Sequence, residues 1–396
     1  MNNFIRHIFI CILCCFMATA RGNESTITGD SIKFSLLTCD PGNEIYTLFG
    51  HTAILYQNFT QKTDVVFNYG LFSFETPNFI WRFVKGETDY ALGITTYDRF
   101  KKEYQRYNRS VWKQELNLTT AQKETLLNLL QTNYLPQNRI YRYNFLFDNC
   151  STRARDIIVK AINGEVEYTW PYHENTFRDI IYEHTVGYDW SRFGMDFCLG
   201  MDVDQPITAN EEMFAPFSLM NEFAYANITT GNHSKPLVFH TSIPVDSHED
   251  AQTESYLITP LRAFLLLFMV VTALTIYGIK KKKSLWWLDL LLFLAAGVAG
   301  CVIAFLTFFS EHPAVSPNFL IFVFHPIHLL ALPFFIRKEI KGKRSIYHVL
   351  NAVILTLFIL LWPIIPQHFN LAVLPLALSL LVRSGANLLI PNVPMC

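Results

Sequence analysis

The sequence predicts an α+β extracytoplasmic domain followed by an all-α domain of five membrane helices. The chain has 396 residues, which is long for a single ordinary domain, and 51% of them are hydrophobic. That apolarity is uneven: residues 21–240 have the pattern of a soluble domain with aromatic strands, whereas residues 256–396 contain five long apolar segments. A leader-like segment at the amino end predicts that the first domain is exported.

Residues 1–20 have the pattern of a secretory signal peptide. Two basic residues precede the apolar run 8–16, and Ala18-Thr19-Ala20 offers a small-x-small cleavage site. The run is too short to span a bilayer, which needs about 20 residues. A retained anchor, or a lipoprotein signal at Cys14 or Cys15, is the alternative, although the bulky residues before these cysteines do not favour the lipoprotein signal.

A polar stretch at 241–255 is predicted to link the two domains. The membrane helices are predicted at 256–279, 285–309, 319–336, 346–365 and 371–390. The intervening loops 280–283 and 337–344 carry four and five Lys or Arg residues, whereas the loops 310–318 and 366–370 carry none. The positive-inside bias therefore predicts a cytoplasmic carboxyl end and an external domain 21–240.

The net charge of −1 gives no basic surface for nucleic acid, so no nucleic-acid partner is predicted. Cysteine usage is more informative. In an exported domain Cys39 and Cys198 could form a disulfide, which would leave Cys150 as a free thiol. The two remaining cysteines outside the leader are Cys301, within an apolar segment, and the terminal Cys396.

Two short motifs carry residues that can form a nucleophilic site. Phe-Gly-His-Thr-Ala-Ile at 49–54 places His51 on a predicted strand, and Asp-Asn-Cys-Ser-Thr at 148–152 places Cys150 before a predicted helix 151–162. A helix amino terminus and an imidazolium both lower a thiol pKa, so Cys150 is a candidate nucleophile and His51 its base. The backbone N–H groups of Cys150 and Ser151 are candidate oxyanion donors.

A third polar group would orient the imidazole. Asn68, on the predicted strand 65–69, is the first choice, with Asp148 and Tyr69 as weaker candidates. The spacing alone also fits a simpler interpretation, in which Cys150 and His51 are structural and Asp148-Asn149 only caps the helix.

Several sequence blocks, in order, resemble one known family. The blocks are SLLTCDPGNEIYTLFGHTAILY (35–56), FNYGLFSF (67–74), LNLTTAQKETLLNLL (116–130), YRYNFLFDNCSTRARD (141–156), FCLGMDVD (197–204) and EEMFAPFSL (211–219). They resemble the amino-terminal periplasmic domain of the Lnb family, and the membrane block resembles the same family's membrane region. The resemblance implies a circularly permuted papain-like (NlpC-like) fold, in which the histidine strand precedes the nucleophile helix. It places the catalytic pair on Cys150 and His51.

What the resemblance implies for function is lipoprotein N-acylation at a bacterial inner membrane. A phospholipid would donate a fatty acyl chain, which would pass through a Cys150 thioester to the α-amino group of a diacylated lipoprotein. No metal or organic cofactor is expected. The same dyad also suits a cysteine peptidase or amidase on cell-wall peptides, or a phospholipase. A non-enzymatic membrane-anchored scaffold is a further alternative, although one helix would suffice as its anchor.

Three further residues are candidates for substrate binding. Trp81 lies in an aromatic segment, 79–84, that suits a membrane interface, although ordinary core packing is the favoured explanation. His325 and His328 lie three residues apart in the third membrane segment, where ionisable residues are candidates for headgroup contact. Hydrogen bonding between helices is their alternative role, and metal binding would need ligands that the sequence does not offer. Arg383 is predicted to snorkel to the cytoplasmic surface.

Overall fold

The computed structural model describes residues 31–75, 77–171, 174–247 and 257–389. The predicted signal peptide, 1–20, lies outside these residues. Within them the chain forms an α+β domain with a large sheet, followed by a helical region, and this confirms the predicted fold class.

Two antiparallel sheets are built in the described part of the first domain. Their strands are β1 Ile32–Cys39, β2 His51–Asn58, β3 Thr63–Leu71, β4 Asp89–Thr96, β5 Val111–Leu116, β6 Ile140–Arg142, β7 Glu165–Glu167, β8 Asn227–Thr230, β9 His233–Pro236 and β10 Val238–Val245. The larger sheet forms the centre of the domain and has seven strands in the order β10-β5-β1-β2-β3-β4-β6. The second sheet has three strands in the order β7-β8-β9.

Helices cover the sheet and connect its strands. They are α1 Phe79–Lys85, α2 Tyr97–Arg106, α3 Thr120–Tyr134, α4 Cys150–Ala161, α5 Phe177–His184, α6 Asp189–Cys198, α7 Ala209–Glu212 and α8 Pro216–Tyr225. Helix α3 starts at a capping box: Thr119 Oγ1 accepts from Gln122 N–H, and the Gln122 side chain accepts from Thr119 N–H. Its buried Leu126 and Leu130 pack with Ile158 of α4 in the core beneath the sheet. Helix α4 is thereby fixed against β2 and β3, the two strands that face the site.

The structure corrects the predicted boundary at 241–255. Strand β10 continues to Val245 and pairs with β5, so the first five residues of the predicted linker belong to the sheet. The polar composition of these residues predicted a linker because β10 is an edge strand. Such a strand pairs with a neighbour on one side only and carries more polar residues than a central strand.

Between residues 257 and 389, the part of the second domain that the structure describes, the chain forms five helices: α9 Pro260–Lys281, α10 Trp286–Phe309, α11 Ile327–Ile340, α12 Ile346–Leu361 and α13 Val373–Leu389. Four segments in this range are long and apolar enough to cross a membrane, and α13 is a shorter apolar helix. The third segment is broken. A 3₁₀ turn at Phe319–Phe322 is followed by non-helical backbone. The backbone of His325 packs closely on Gly300 of α10: a Cβ added at Gly300 would lie 2.4 Å from the His325 backbone nitrogen.

Arg383 does not snorkel, contrary to the sequence prediction. Its guanidinium is fully buried and pairs with both carboxylate oxygens of Asp289 on α10, at 2.6 and 2.7 Å. A third bond, of 3.0 Å, runs to the Thr275 hydroxyl on α9. The prediction failed because snorkelling assumes a cation without a buried partner, and the acid that pairs with it lies 94 residues earlier in the chain.

The first domain lies against the membrane loops predicted to be external. Gly200 N–H and Met201 N–H donate to the carbonyls of Ala314 and Pro317, at 2.8 and 2.9 Å. The Gln367 amide donates to the Leu199 carbonyl at 3.1 Å. These bonds join the segment after α6 to the loops that lack positive charge, at the opposite helix ends from the basic loops. The sheet domain therefore has a defined position over one face of the helical domain.

Candidate active site

His51 is the first residue of β2, and the preceding glycine fixes where that strand begins. Gly50 has a φ of +81°, and a Cβ at this position would lie 2.5 Å from the carbonyl oxygen of Cys39 on β1. Only glycine accommodates both the left-handed backbone and that close approach. The Phe-Gly-His motif therefore holds the imidazole at the end of β2, next to the start of α4.

Cys150 is the first residue of α4, and Asn149 caps this helix. The Asn149 Oδ1 accepts from the N–H groups of Ser151 and Thr152, at 2.8 and 3.0 Å, and the Thr152 hydroxyl accepts from Asn149 N–H at 2.8 Å. The Asn149 amide is itself anchored on two backbone carbonyls, those of Phe145 and Phe214. The cap therefore fixes the position of the thiol at a helix amino terminus.

This cap corrects one sequence prediction. The N–H of Ser151 is already bonded to Asn149, so it is not available as an oxyanion donor. The Ser151 hydroxyl is buried and bonds to the Thr52 hydroxyl at 2.9 Å, which joins α4 to β2. Capping and oxyanion binding compete for the same N–H groups, and the sequence did not show which of them the asparagine satisfies.

The structure brings His51, Asn68 and Cys150 together. His51 Nε2 lies 2.5 Å from Asn68 Oδ1, and the imidazole is close enough to the Cys150 thiol for each group to shift the pKa of the other. Gly70 adjoins both side chains: a Cβ there would lie 3.8 Å from Cys150 Cβ and 3.9 Å from His51 Cε1. The sequence predicted these three residues as a group, and they lie on β2, β3 and α4.

The electrostatics of the pair favour a thiolate. Burial alone would raise the pKa of Cys150, but the charge and hydrogen bond of His51, the Thr52 backbone and the Ser151 hydroxyl outweigh it, and the pKa is lowered. Burial would lower the pKa of His51, but Cys150 and Asn68 outweigh it, and the pKa is raised. A lowered thiol pKa beside a raised imidazole pKa shifts the pair toward thiolate and imidazolium, which is the reactive form of a cysteine nucleophile.

The weaker candidates for the third position have other partners. Asp148 forms a two-pronged ion pair with Arg153, at 2.5 and 2.7 Å. The Tyr69 hydroxyl accepts a hydrogen bond of 2.8 Å from the Asn133 amide. Asn68 is therefore the residue of the three candidates that the geometry joins to His51.

Cys39 and Cys198, for which the sequence left a disulfide open, are both free thiols. Cys39 ends β1 in the core, where burial raises its pKa to about 12, and Cys198 ends α6, where burial raises its pKa to about 11. Both thiols are therefore far less acidic than Cys150, and they provide natural controls for its reactivity.

Trp81 is not packed in the core, so the explanation that the sequence favoured is wrong. It lies on α1 with 57% of its surface exposed, beside Ile80, which is 78% exposed. Its ring contacts Phe305 near the external end of α10, with the ring centroids 5.0 Å apart. Backbone atoms of the same short helix bond to the loop that follows α10: the Ser310 hydroxyl donates to the Val84 carbonyl at 2.9 Å. An apolar, exposed helix therefore adjoins the end of a membrane segment.

His325 and His328 lie apart from the dyad, in the break of the third membrane segment. Their rings stack, with centroids 3.7 Å apart. His328 is fully buried and hydrogen-bonds the Tyr347 hydroxyl on α12 and the Val323 carbonyl. These bonds favour the helix-packing alternative for His328. Across the ranges that the structure describes, no cluster of three or more His, Cys, Asp or Glu side chains is placed to hold a metal ion.

Comparison with known families gives two matches. Residues 19–181 match the family model described as the Lnb N-terminal periplasmic domain, and residues 252–392 match that described as the Lnb transmembrane domain. Together they cover more than three quarters of the chain, and the first includes His51, Asn68 and Cys150. No curated protein and no solved structure gave a significant match.

Proposed function

This chain belongs to the Lnb family, and from that premise we propose that it is a lipoprotein N-acyltransferase. The acyl donor is a membrane phospholipid, and the acceptor is the α-amino group of the diacylglyceryl-cysteine of a lipoprotein. The observation that carries the proposal is a thiol–imidazole–amide arrangement on a periplasmic domain that is fixed to membrane helices.

In the first step the Cys150 thiolate attacks an ester carbonyl of the phospholipid. Nδ1–H of His51 protonates the departing lysophospholipid oxygen, while Asn68 Oδ1 accepts from Nε2–H and holds the ring in place. A C–S bond forms, a C–O bond breaks, and the acyl chain remains on the enzyme as a thioester.

In the second step the lipoprotein amine attacks that thioester. His51, now neutral, takes a proton from the amine, and the thiolate leaves as the amide forms. The ion pair between Cys150 and His51 is restored, so each cycle begins with the same protonation state. Transfer through a covalent intermediate predicts ping-pong kinetics.

Both substrates are anchored in the bilayer, which gives α1 a role in the proposal. Phe74, Phe79, Ile80, Trp81 and Val84 line an apolar groove at this helix. The groove adjoins the external end of α10, so an acyl chain entering from the outer leaflet meets apolar side chains before it reaches the sheet. In this proposal Trp81 contacts the donor phospholipid. Substrate contact by His325 and His328 stays a prediction.

Replacing Trp81 with alanine is expected to raise the KM for phospholipid about tenfold and to change kcat little. The apolar area of one partly buried aromatic corresponds to about 1.4 kcal/mol of binding free energy, which is a factor of about ten. Phe239→Ala is the matched control, because Phe239 is 72% exposed on β10 at the other edge of the sheet. An unchanged KM in Trp81→Ala, or an equal change of KM in Trp81→Ala and Phe239→Ala, would show that Trp81 does not bind the donor phospholipid.

The other candidate functions differ in what receives the acyl group. A phospholipase would pass it to water, and a peptidase would use the same thiol on peptides that need no bilayer. A scaffold would need no thiolate, whereas the groups around Cys150 lower its pKa. The membrane domain favours an acceptor held in the bilayer.

Intact-mass spectrometry of the detergent-purified protein, after exposure to phospholipid, tests the proposal. We expect a hydroxylamine-labile mass increase of one fatty acyl chain in the wild type and none in Cys150→Ala. Addition of a diacylated lipopeptide should discharge the adduct and yield triacylated lipopeptide. Discharge to free fatty acid at the same rate with and without lipopeptide would support the phospholipase, and no adduct in either protein would contradict acyl transfer.

A further inference from the structure

Tyr141 is a buried residue close to the active site, and it has no role in the two acyl-transfer steps proposed for Cys150 and His51. It lies on β6, only 7% of its surface is exposed, and its O–H has no acceptor among the described residues. A buried O–H without an acceptor costs folding free energy, and here it leaves a donor free to bind a ligand.

The ring of Tyr141 is held rigidly. The Arg153 guanidinium lies 3.6 Å from the ring centroid, and Asp148 fixes that guanidinium through two hydrogen bonds. The Tyr69 ring packs edge-on against the Tyr141 ring, with the two centroids 6.3 Å apart. The backbone of Tyr141 is held by the pairing of β6 with β4. The hydroxyl therefore has a fixed direction although its O–H has no acceptor among the described residues.

The Tyr141 hydroxyl lies close to the catalytic pair. Tyr141 belongs to the core cluster against which Cys150 packs, its hydroxyl lies beside the backbone N–H of Gly70, and Gly70 adjoins the side chains of both Cys150 and His51. Burial raises the pKa of Tyr141, and the neighbouring charge of Cys150 raises it further. The phenol therefore stays protonated beside a thiolate and keeps its O–H as a hydrogen-bond donor.

We propose that the Tyr141 hydroxyl and the Cys150 N–H together bind the oxyanion that forms when the thiolate attacks an acyl carbonyl. This inference rests on the proposed acyl transfer and supplies a donor that Ser151 does not, because the Ser151 N–H is bonded to the Asn149 cap. The Cys150 N–H is the first N–H group of α4, so the helix itself supplies no acceptor for it. Tyr141 is then a catalytic residue, since it contacts the reacting oxygen.

The step balances without proton transfer from the phenol. The C–S bond forms as the carbonyl π pair moves onto oxygen, and the Tyr141 O–H donates a hydrogen bond to that oxygen but keeps its proton. When the intermediate collapses, the pair returns to form C=O, and the leaving alkoxide departs with the proton from His51. A donor fixed in advance stabilises the developing charge without reorganisation.

The test compares two reactions of Cys150 in the full-length Tyr141→Phe protein. Acylation by p-nitrophenyl butyrate passes through a tetrahedral oxyanion, and its burst of p-nitrophenolate should slow about 100-fold. Alkylation by iodoacetamide has no oxyanion, so its rate and pH profile should match the wild type. Neither reaction uses phospholipid or lipoprotein, so the result does not depend on the natural substrates. If the protein is not a lipoprotein N-acyltransferase, the mass-spectrometry experiment with lipopeptide shows that independently of the Tyr141→Phe result.

Tyr69→Phe is the matched control, because it also removes one phenolic hydroxyl but one that bonds Asn133. We expect its ester acylation to stay within twofold of wild type. The thermal unfolding temperature of Tyr141→Phe should be equal to or slightly above that of the wild type, since the lost O–H has no acceptor among the described residues. An unchanged burst rate in Tyr141→Phe, or a parallel loss of alkylation, would overturn the assignment.

Discussion

Cys150→Ser should lower the initial rate of lipoprotein N-acylation by about 10⁴-fold or more. The substitution changes one atom, but a serine hydroxyl remains protonated where the thiol ionises, so the thiolate–imidazolium pair with His51 does not form. Losses of this size follow removal of the nucleophile in other enzymes of this kind, where only binding and oxyanion stabilisation remain. The measurement is mass spectrometry of a diacylated lipopeptide incubated with phospholipid and detergent-purified enzyme.

Cys198→Ser is the matched control for that experiment. It makes the same one-atom change at a free thiol whose pKa is raised to about 11 by burial, at the end of α6. Its rate should stay within about twofold of wild type. If Cys150→Ser keeps a tenth of the activity, or if both variants lose it equally, Cys150 is not the nucleophile.

The sequence alone predicted the elements whose signals are local. The strand at His51, the capped helix at Cys150 and the apolar membrane segments all lie close to where the structure places them. Each depends on the spacing of apolar residues or on a cap within a few residues, and such patterns are legible without tertiary contacts. Asn68 was accessible in the same way, because adjacent antiparallel strands bring their residues side by side.

The features that the sequence did not predict depend on partners distant in the chain. The first five residues of the supposed linker belong to β10, which pairs with β5 more than 120 residues earlier. The free state of Cys39 and Cys198 follows from the separate places of β1 and α6. The direction of the Tyr141 hydroxyl depends on a stacked Arg153, and no spacing rule records that contact. Pattern arguments stop at contacts of this kind because they describe one element at a time.

Asp289→Ala should destabilise the membrane domain by about 3–5 kcal/mol, the largest stability effect that the structure predicts. The Asp289 carboxylate is fully buried and binds three donor groups: two from Arg383 and one from the Asn387 amide at 2.9 Å. Arg383 extends the contact to Thr275, so one cluster joins α9, α10 and α13. Removing the acid leaves a buried guanidinium without its counter-charge. The free energy of unfolding in mixed micelles measures the loss.

A second substitution separates the cost of an unpaired charge from the worth of the pair. Arg383→Met in the Asp289→Ala background removes the orphan cation, and an apolar pair of similar volume is often as stable as a buried ion pair. We therefore expect the double variant to recover most of the loss, with a coupling free energy of about 2 kcal/mol or more. Additive losses would mean that the two residues act independently. Alkylation of Cys150 should be unchanged in every variant that stays folded, because the cluster touches only membrane helices, whereas the thiol is fixed by the Asn149 cap and the sheet.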